Sequence, residues 1–473
     1  MTSFGGLYGP SISAALERAG SRYPQKMAWC TASIGQRSNQ TISGTIQLVP
    51  TNHFHKLQAL RGCPFQIVAM DGQGGTHASA AVARFAANVA AYGPEMVFLG
   101  ADLAGNQINA GGTAADTWAD MLTLIRYVKA IPAIPVIATL PPNVKLYSTL
   151  AYDAVEGAAG GTETAAKTYN LATIAYNKLV RAYAKDNPDV ILHVWGERNV
   201  DHTRVDGHYV QKYSTGAAST DYSPDGTHQH PRYAWDLALD VDAALGNTVR
   251  EDTLPFSQSN LDPDKWVLNP TLLGTAGSVS SGASSSSVIV SNCSLSGGGL
   301  TTGSCVGNRV ARDDGIAGGY WQEIVITASD RNATFTFTGV GSSALPVGYD
   351  ITNDAVFGAV EIRVVDTPIN LRNITIGVNY AASGAKTLGG ESASETGGFA
   401  QIADAGLYIP RNRTLTFPTA INKLTGLTSI TSITVTATKS SVGNMTTRFY
   451  IGRPVVAKNP FGVPFVAETP ATP

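Results

Sequence analysis

Short, nearly continuous apolar runs alternate with segments of helical period through the first half of the chain. The strand-like runs fall at 26–31 (KMAWCT), 65–70 (FQIVAM), 95–100 (EMVFLG), 134–140 (IPVIATL) and 189–195 (DVILHVW). Between them apolar residues recur at helical spacing: Val82, Phe85, Val89 and Tyr92, then Trp118, Leu122, Ile125 and Val128, then Leu171, Ile174, Leu179 and Tyr183. Near-continuous apolar strands separated by helices predict a parallel sheet covered on both faces. The expected fold for 1–250 is therefore a doubly wound α/β domain of flavodoxin-like type with a five-stranded parallel sheet.

After Gly246 the pattern changes. A polar, Pro-punctuated stretch, NTVREDTLPFSQSNLDPDKW, contains the expected linker at 251–265. Beyond it no helical period is sustained. Alternating runs bounded by Gly, Asn, Asp and Ser follow instead: YWQEIVITAS, ATFTFTGV, AVEIRVVD, NITIGVNY, SITVTATKS and RFYIGRPVV. These predict an antiparallel, jelly-roll-like β-sandwich over 266–473, with the Ser-rich 280–292 as a surface loop leading into a strand. The aromatic residues of these runs, Trp266, Tyr320, Trp321, Phe335, Phe337 and Tyr450 among them, are expected in its core. No period of 20–50 residues recurs, which argues against a solenoid.

Composition narrows the partners. The 473 residues carry 33 basic and 35 acidic side chains, a net charge of -2 with no basic block, so nucleic acid is not an expected partner. Charged residues make up 14% of the chain and Gly numbers 49, which suits tightly turned β-rich structure. No run of about 18 apolar residues suggests a membrane span, and the first residues lack the basic and apolar regions of a secretory signal, so synthesis in a cytoplasm is expected. The 4 cysteines are too few for a disulfide framework and lack CxxC spacing. Cys30 and Cys63 read as buried thiols, whereas Cys293 and Cys305 flank a Gly-rich turn and could face each other across a hairpin.

Ligands of open α/β sheets gather at the carboxyl ends of the strands, so the turns there hold the candidate chemistry. The first contains Ser33, the second Gly74 and Gly75, and the third Asp102 and Asn106. Before the last helix, SPDGTHQHPRYAWDLA places Asp225 three residues ahead of His228. A hydroxyl nucleophile, a glycine N–H, an amide donor and a His oriented by a carboxylate together fit acyl transfer. The pairs His53-x-His55 and His228-x-His230 would share a face if extended, but no carboxylate or Cys completes either set, so neither a metal nor an organic cofactor is expected.

The order Ser, Gly, Asn, then Asp-x-x-His resembles the SGNH (GDSL-like) hydrolases. SPDGTHQHPRYAWDLA is similar to their final block, and GQGGTHASAAVARFAANVAAYGPEMVFLG to the second block and the run into the third. The resemblance covers about half the chain. It implies a serine esterase in which Ser33 attacks, His228 takes the proton, Asp225 holds the imidazole, and Gly75 N–H joins the oxyanion hole. The chain departs from the family at Thr31-Ala32-Ser33, where Gly-Asp-Ser is usual, and at Gly100-Ala101-Asp102-Leu103, where Gly-x-Asn-Asp is usual. An ionised Asp102 in an oxyanion hole would oppose the developing charge, leaving Asn106 as the candidate amide donor. A second registration makes Ser11 the nucleophile, but no apolar strand precedes it.

The segments NPTLLGTAGSVSSG, GYWQEIVIT and RFYIGRPVVAK resemble the accessory β-sandwich of bacteriophage tail-fibre or spike proteins. That resemblance implies glycan binding or fibre assembly, partner particle proteins, a homotrimer and a place on a virion or phage-like particle. The combined expectation is a deacylase of an acylated surface polysaccharide, with a non-catalytic glycan-binding spike as the alternative.

Overall fold

The computed structural model describes residues 26–36, 39–42, 45–48, 52–141, 163–198, 231–249, 267–314, 319–338, 350, 355–382, 384–391, 409–419, 427–440 and 443–458. In the first half, β1 (Lys26–Thr31), β4 (Gln66–Gly72), β5 (Met96–Leu99), β6 (Ile134–Ala138) and β7 (Ile191–His193) form one sheet in the order β4-β1-β5-β6-β7. Every pairing in it is parallel. The doubly wound α/β expectation is met, each strand starting and ending within a few residues of its apolar run.

Period-2 alternation sends successive side chains of β1 into two cores. Met27 and Trp29 join Phe98, Val136 and Ile191 on one face. Ala28 and Cys30 join Val97, Leu99 and Ile137 on the other. The second face is covered by α3 (Ala78–Asn88), α4 (Ala101–Asn109), α5 (Ala114–Ala130) and α6 (Glu163–Asp186) through Phe85, Leu103, Leu124 and Tyr176. The first face is covered by α2 (His53–Arg61) and α8 (Pro231–Leu245).

Helix α6 departs from its expected apolar face. Leu171 is 66% exposed, and the buried stripe is Tyr169, Thr173, Tyr176 and Val180. The period was obscured because polar residues face inward: buried Asn177 donates to the Leu140 carbonyl at 2.9 Å and accepts from its N–H at 2.7 Å, closing the strand end after β6.

The second half is a β-sandwich. One sheet has the order β10-β11-β18-β13-β16, formed by β10 (Ser304–Ala311), β11 (Tyr320–Ser329), β18 (Met445–Lys458), β13 (Val356–Val364) and β16 (Leu415–Pro418). The other contains β15 (Gly384–Glu391), β14 (Leu371–Ala382), β17 (Ser429–Lys439), β12 (Ala333–Phe337), β9 (Cys293–Ser296) and β8 (Ser278–Ser280) in that spatial order. Alternate residues face the shared core, Phe335 and Phe337 on β12, Ile433 and Val435 on β17. Cys293 and Cys305 do not share a hairpin: Cys293 pairs with Phe337 in one sheet and Cys305 with Ile326 in the other. All four cysteines are buried free thiols.

The two halves are joined more closely than a linker would require. A polar hairpin from the first half, β2 (Asn39–Ile42) and β3 (Thr45–Leu48), extends the second sandwich sheet by pairing parallel with β15. Helix α2 lies against β16, where Cys63 Sγ donates to the Thr416 carbonyl at 3.3 Å. Trp235 of α8 meets Phe417 edge-on with ring centroids 6.2 Å apart, and Arg61 and Arg413 both pair with Asp242, at 2.6 and 3.1 Å. One apolar cluster runs from Trp29 and Phe54 through Trp235 into Phe417 and Val360. Calorimetry is therefore expected to show a single unfolding transition for the whole chain, lowered as a unit by Phe417→Ala. Two resolved transitions, only one of them moved, would contradict a shared core. Among the described residues no helix is long and apolar enough to cross a membrane.

Candidate active site

The carboxyl ends of β4, β1 and β5 lie side by side, so the turns that follow them meet at one edge of the sheet. The turn after β1 leads directly into α1 (Ser33–Gln36), a single helical turn whose first residue is the half-buried Ser33. It is pinned from three sides. Asp102 Oδ2 accepts the N–H groups of Ala32 and Ile34, each at 2.9 Å. The Trp29 indole donates to the Gly35 carbonyl at 3.2 Å. From behind, Arg84 Nη2 donates to the Thr31 carbonyl at 3.1 Å while its Nε pairs with Asp71 at 2.7 Å. Asn88 and the Cys30 thiol also donate to Asp71, at 3.0 and 3.3 Å.

The third turn reaches this close because residue 100 is glycine. A Cβ there would stand 2.2 Å from Asp102 Oδ1 and 2.8 Å from Thr31 Cβ. The second turn is a tight reversal in which Thr76 N–H donates to the Gln73 carbonyl at 3.2 Å. Gly75 sits in it at φ +70 with open space around its Cβ position, so the backbone conformation, rather than crowding, calls for glycine. Asn106 of α4 ties the second and third turns together: its Nδ2 donates to the Thr76 carbonyl at 3.1 Å, leaving a second hydrogen on the same nitrogen.

Asp102 does not point its charge at an open oxyanion site. Besides the two N–H groups of the first turn, it accepts the Leu103 N–H at 3.1 Å. Burial pushes its carboxyl up to about 6, and the Ile34, Ala32 and Leu103 hydrogen bonds pull the other way. The Cys30 thiol is pushed up by burial and by Asp71, which makes it a poor nucleophile.

Asp225, His228 and the alternative nucleophile Ser11 lie outside the described residues. Lys56 of α2 lies 4.8 Å from the Trp235 ring of α8, and further along both helices Arg61 pairs with Asp242, so the two run in the same direction. Only four residues separate the end of α2 from β4, so α2 runs against the strands and begins near their carboxyl edge.

A His–carboxylate pair that sequence reasoning missed lies across the sheet. His193, at the end of β7, has Nδ1 3.6 Å from Asp240 Oδ2, and Asp240 also pairs with Arg198 of the one-turn α7 (Trp195–Arg198). Three strand spacings separate β7 from β1, roughly 14 Å, which is beyond direct proton exchange with Ser33. The pair instead ties β7 to α7 and α8. His53, pushed down to about 3 by burial and then by His193 and His55, is neutral. His53 and His55 lie on a helix, where positions two apart point to different sides, so the shared face expected of an extended pair is not formed. Among the described residues no three His, Cys, Asp or Glu side chains converge as a metal site.

No protein-family model matches the chain, and no curated protein matches it. Solved structures do. A GDSL-like lipase from Bacteroides thetaiotaomicron is 13% identical, covering 50% of this chain and 97% of its own, with a TM-score of 0.32. An acetylxylan esterase from Geobacillus stearothermophilus is 14% identical, covering 48% and 97% respectively, with a TM-score of 0.34.

Proposed function

We propose that the chain is a serine esterase that removes acyl groups, O-acetyl above all, from a bacterial surface polysaccharide. The observation that carries this is the pinned Ser33 turn at the carboxyl end of β1, bordered by the Gly75 turn and Asn106. His228 precedes Pro231 by three residues, a reach of about 10 Å at most.

In the proposed reaction the Ser33 hydroxyl attacks the ester carbonyl as His228 takes its proton, and Asp225 holds the imidazole. The N–H groups of Ser33 and Gly75, with the second Asn106 amide hydrogen, receive the oxyanion. Collapse expels the sugar hydroxyl, protonated by His228, and water then resolves the acyl-serine by the same steps in reverse. The sandwich would hold the glycan, and the setting on a phage or phage-like particle rests on the resemblance of its segments to fibre proteins.

One observation favours a second reading, a glycan-binding spike without activity: the third turn contributes a carboxylate, already committed to backbone, where an amide donor would serve the reaction. Incubation of the full chain with an acetylated bacterial polysaccharide separates the two. Acetate release above the uncatalysed rate is the expected result. Retention on the polysaccharide with no acetate released would favour the spike.

A further inference from the structure

The Asp102 carboxylate is the feature of this edge that a triad and an oxyanion hole leave unexplained. A buried carboxylate is costly unless its lone pairs are filled. This one is filled almost entirely from the first turn, since Oδ2 takes the N–H groups immediately before and immediately after Ser33 and leaves the Ser33 N–H outside the clamp. Gly100 removes the one side chain that would keep Asp102 from Thr31, and the Leu103 N–H fixes the second oxygen. The arrangement is a two-point grip on the backbone that bears the hydroxyl.

We propose that Asp102 is a positioning residue that sets the Ser33 backbone for attack through its grip on the Ala32 and Ile34 N–H groups. The proposal rests on the esterase reading for its catalytic consequence, while the grip itself can be measured without any activity. Protonation weakens it, because a neutral carboxyl is a poorer acceptor for two amides. The raised carboxyl pKa, about 6, puts that loss at mildly acidic pH. Among the described residues, the titratable side chain in its field is Cys30 of β1, and beyond it Asp71 of β4 is paired with Arg84 of α3. Neither α1 nor the rest of α4 carries a charged residue.

The test uses the full chain with Asp102→Asn and Asp102→Ala, followed both by aryl-acetate kinetics and by amide NMR. Asparagine keeps one oxygen for the two N–H groups but turns an amide hydrogen toward Leu103; alanine keeps nothing. Asp102→Ala is expected to lower kcat about 100-fold with KM within about 2-fold, the scale of a small misplacement of a reacting group, and Asp102→Asn to restore most of it. In the wild type the Ala32 and Ile34 amide shifts should move together with a midpoint near 6, a transition absent from Asp102→Asn. Their exchange should quicken about 10-fold or more in Asp102→Ala. Unaltered kcat in a folded Asp102→Ala, or amides that neither titrate nor lose protection, would overturn the proposal. A wild type without esterase activity would sink the functional reading instead, and the amide measurements would still decide the grip.

Discussion

Replacing Ser33 by alanine is expected to reduce aryl-acetate hydrolysis on the order of 10⁴-fold or more, and His228→Ala to do the same. Nucleophile and base act as a unit, so the double variant should be no worse than either single one. Asp225→Ala should be milder, since it removes only the orientation and stabilisation of the imidazolium. The Ser33 side chain is not among the groups that pin its turn: Asp102, Trp29 and Arg84 all hold backbone atoms of neighbouring residues. Ser33→Ala should therefore fold with a wild-type melting temperature, and loss of activity in it would reflect chemistry. Full activity in Ser33→Ala together with loss in Ser11→Ala would move the nucleophile to the earlier serine.

The largest expected effect on stability lies in the sandwich. Glu361 of β13 is buried and accepts from the Arg453 N–H at 2.9 Å, from Arg453 Nη2 at 2.7 Å and from Arg312 Nη1 at 2.8 Å. Arg312 in turn pairs with Asp314 at 2.5 Å and stacks over the buried Trp321 ring at 3.9 Å. Glu361→Ala removes the carboxylate from the buried Arg453 guanidinium and one of two carboxylates from Arg312, which keeps Asp314; breaking a buried pair costs about 3–5 kcal/mol. For a chain of 473 residues that unfolds as one unit, at about 1 °C per kcal/mol, the melting temperature should fall by about 3–5 °C. Glu361→Gln, which keeps acceptor oxygen without the charge, should fall between the two. An unchanged melting temperature in Glu361→Ala would show that this network contributes nothing to the fold.

The parallel sheet was legible because its strands are buried on both faces, and KMAWCT or MVFL can hardly be read otherwise. Hairpin β2–β3 was not: NQTI and TIQL are mostly polar, and their place in the sandwich depends on β15, more than 300 residues away. The inward face of α6 was hidden by the buried polar residues Thr173 and Asn177, the second of which is satisfied by its hydrogen bonds to Leu140. At the site, Ser33, Gly75 and Asn106 could be picked out because turns after parallel strands are few. Nothing in the spacing showed that Asp102 would grip Ala32 and Ile34, or that Asp71 and Arg84 would hold Thr31, since these contacts join separate strands through the fold.

The account depends on Ser33 being a nucleophile, and a fluorophosphonate probe reads that directly, because it phosphonylates an activated serine without needing the natural glycan. The full chain, labelled near neutral pH, digested and mapped by mass spectrometry, should yield one adduct, on the peptide containing Ser33, and His228→Ala should suppress it. No adduct under conditions that label a known serine esterase, or an adduct confined to Ser11, would contradict the assignment of Ser33.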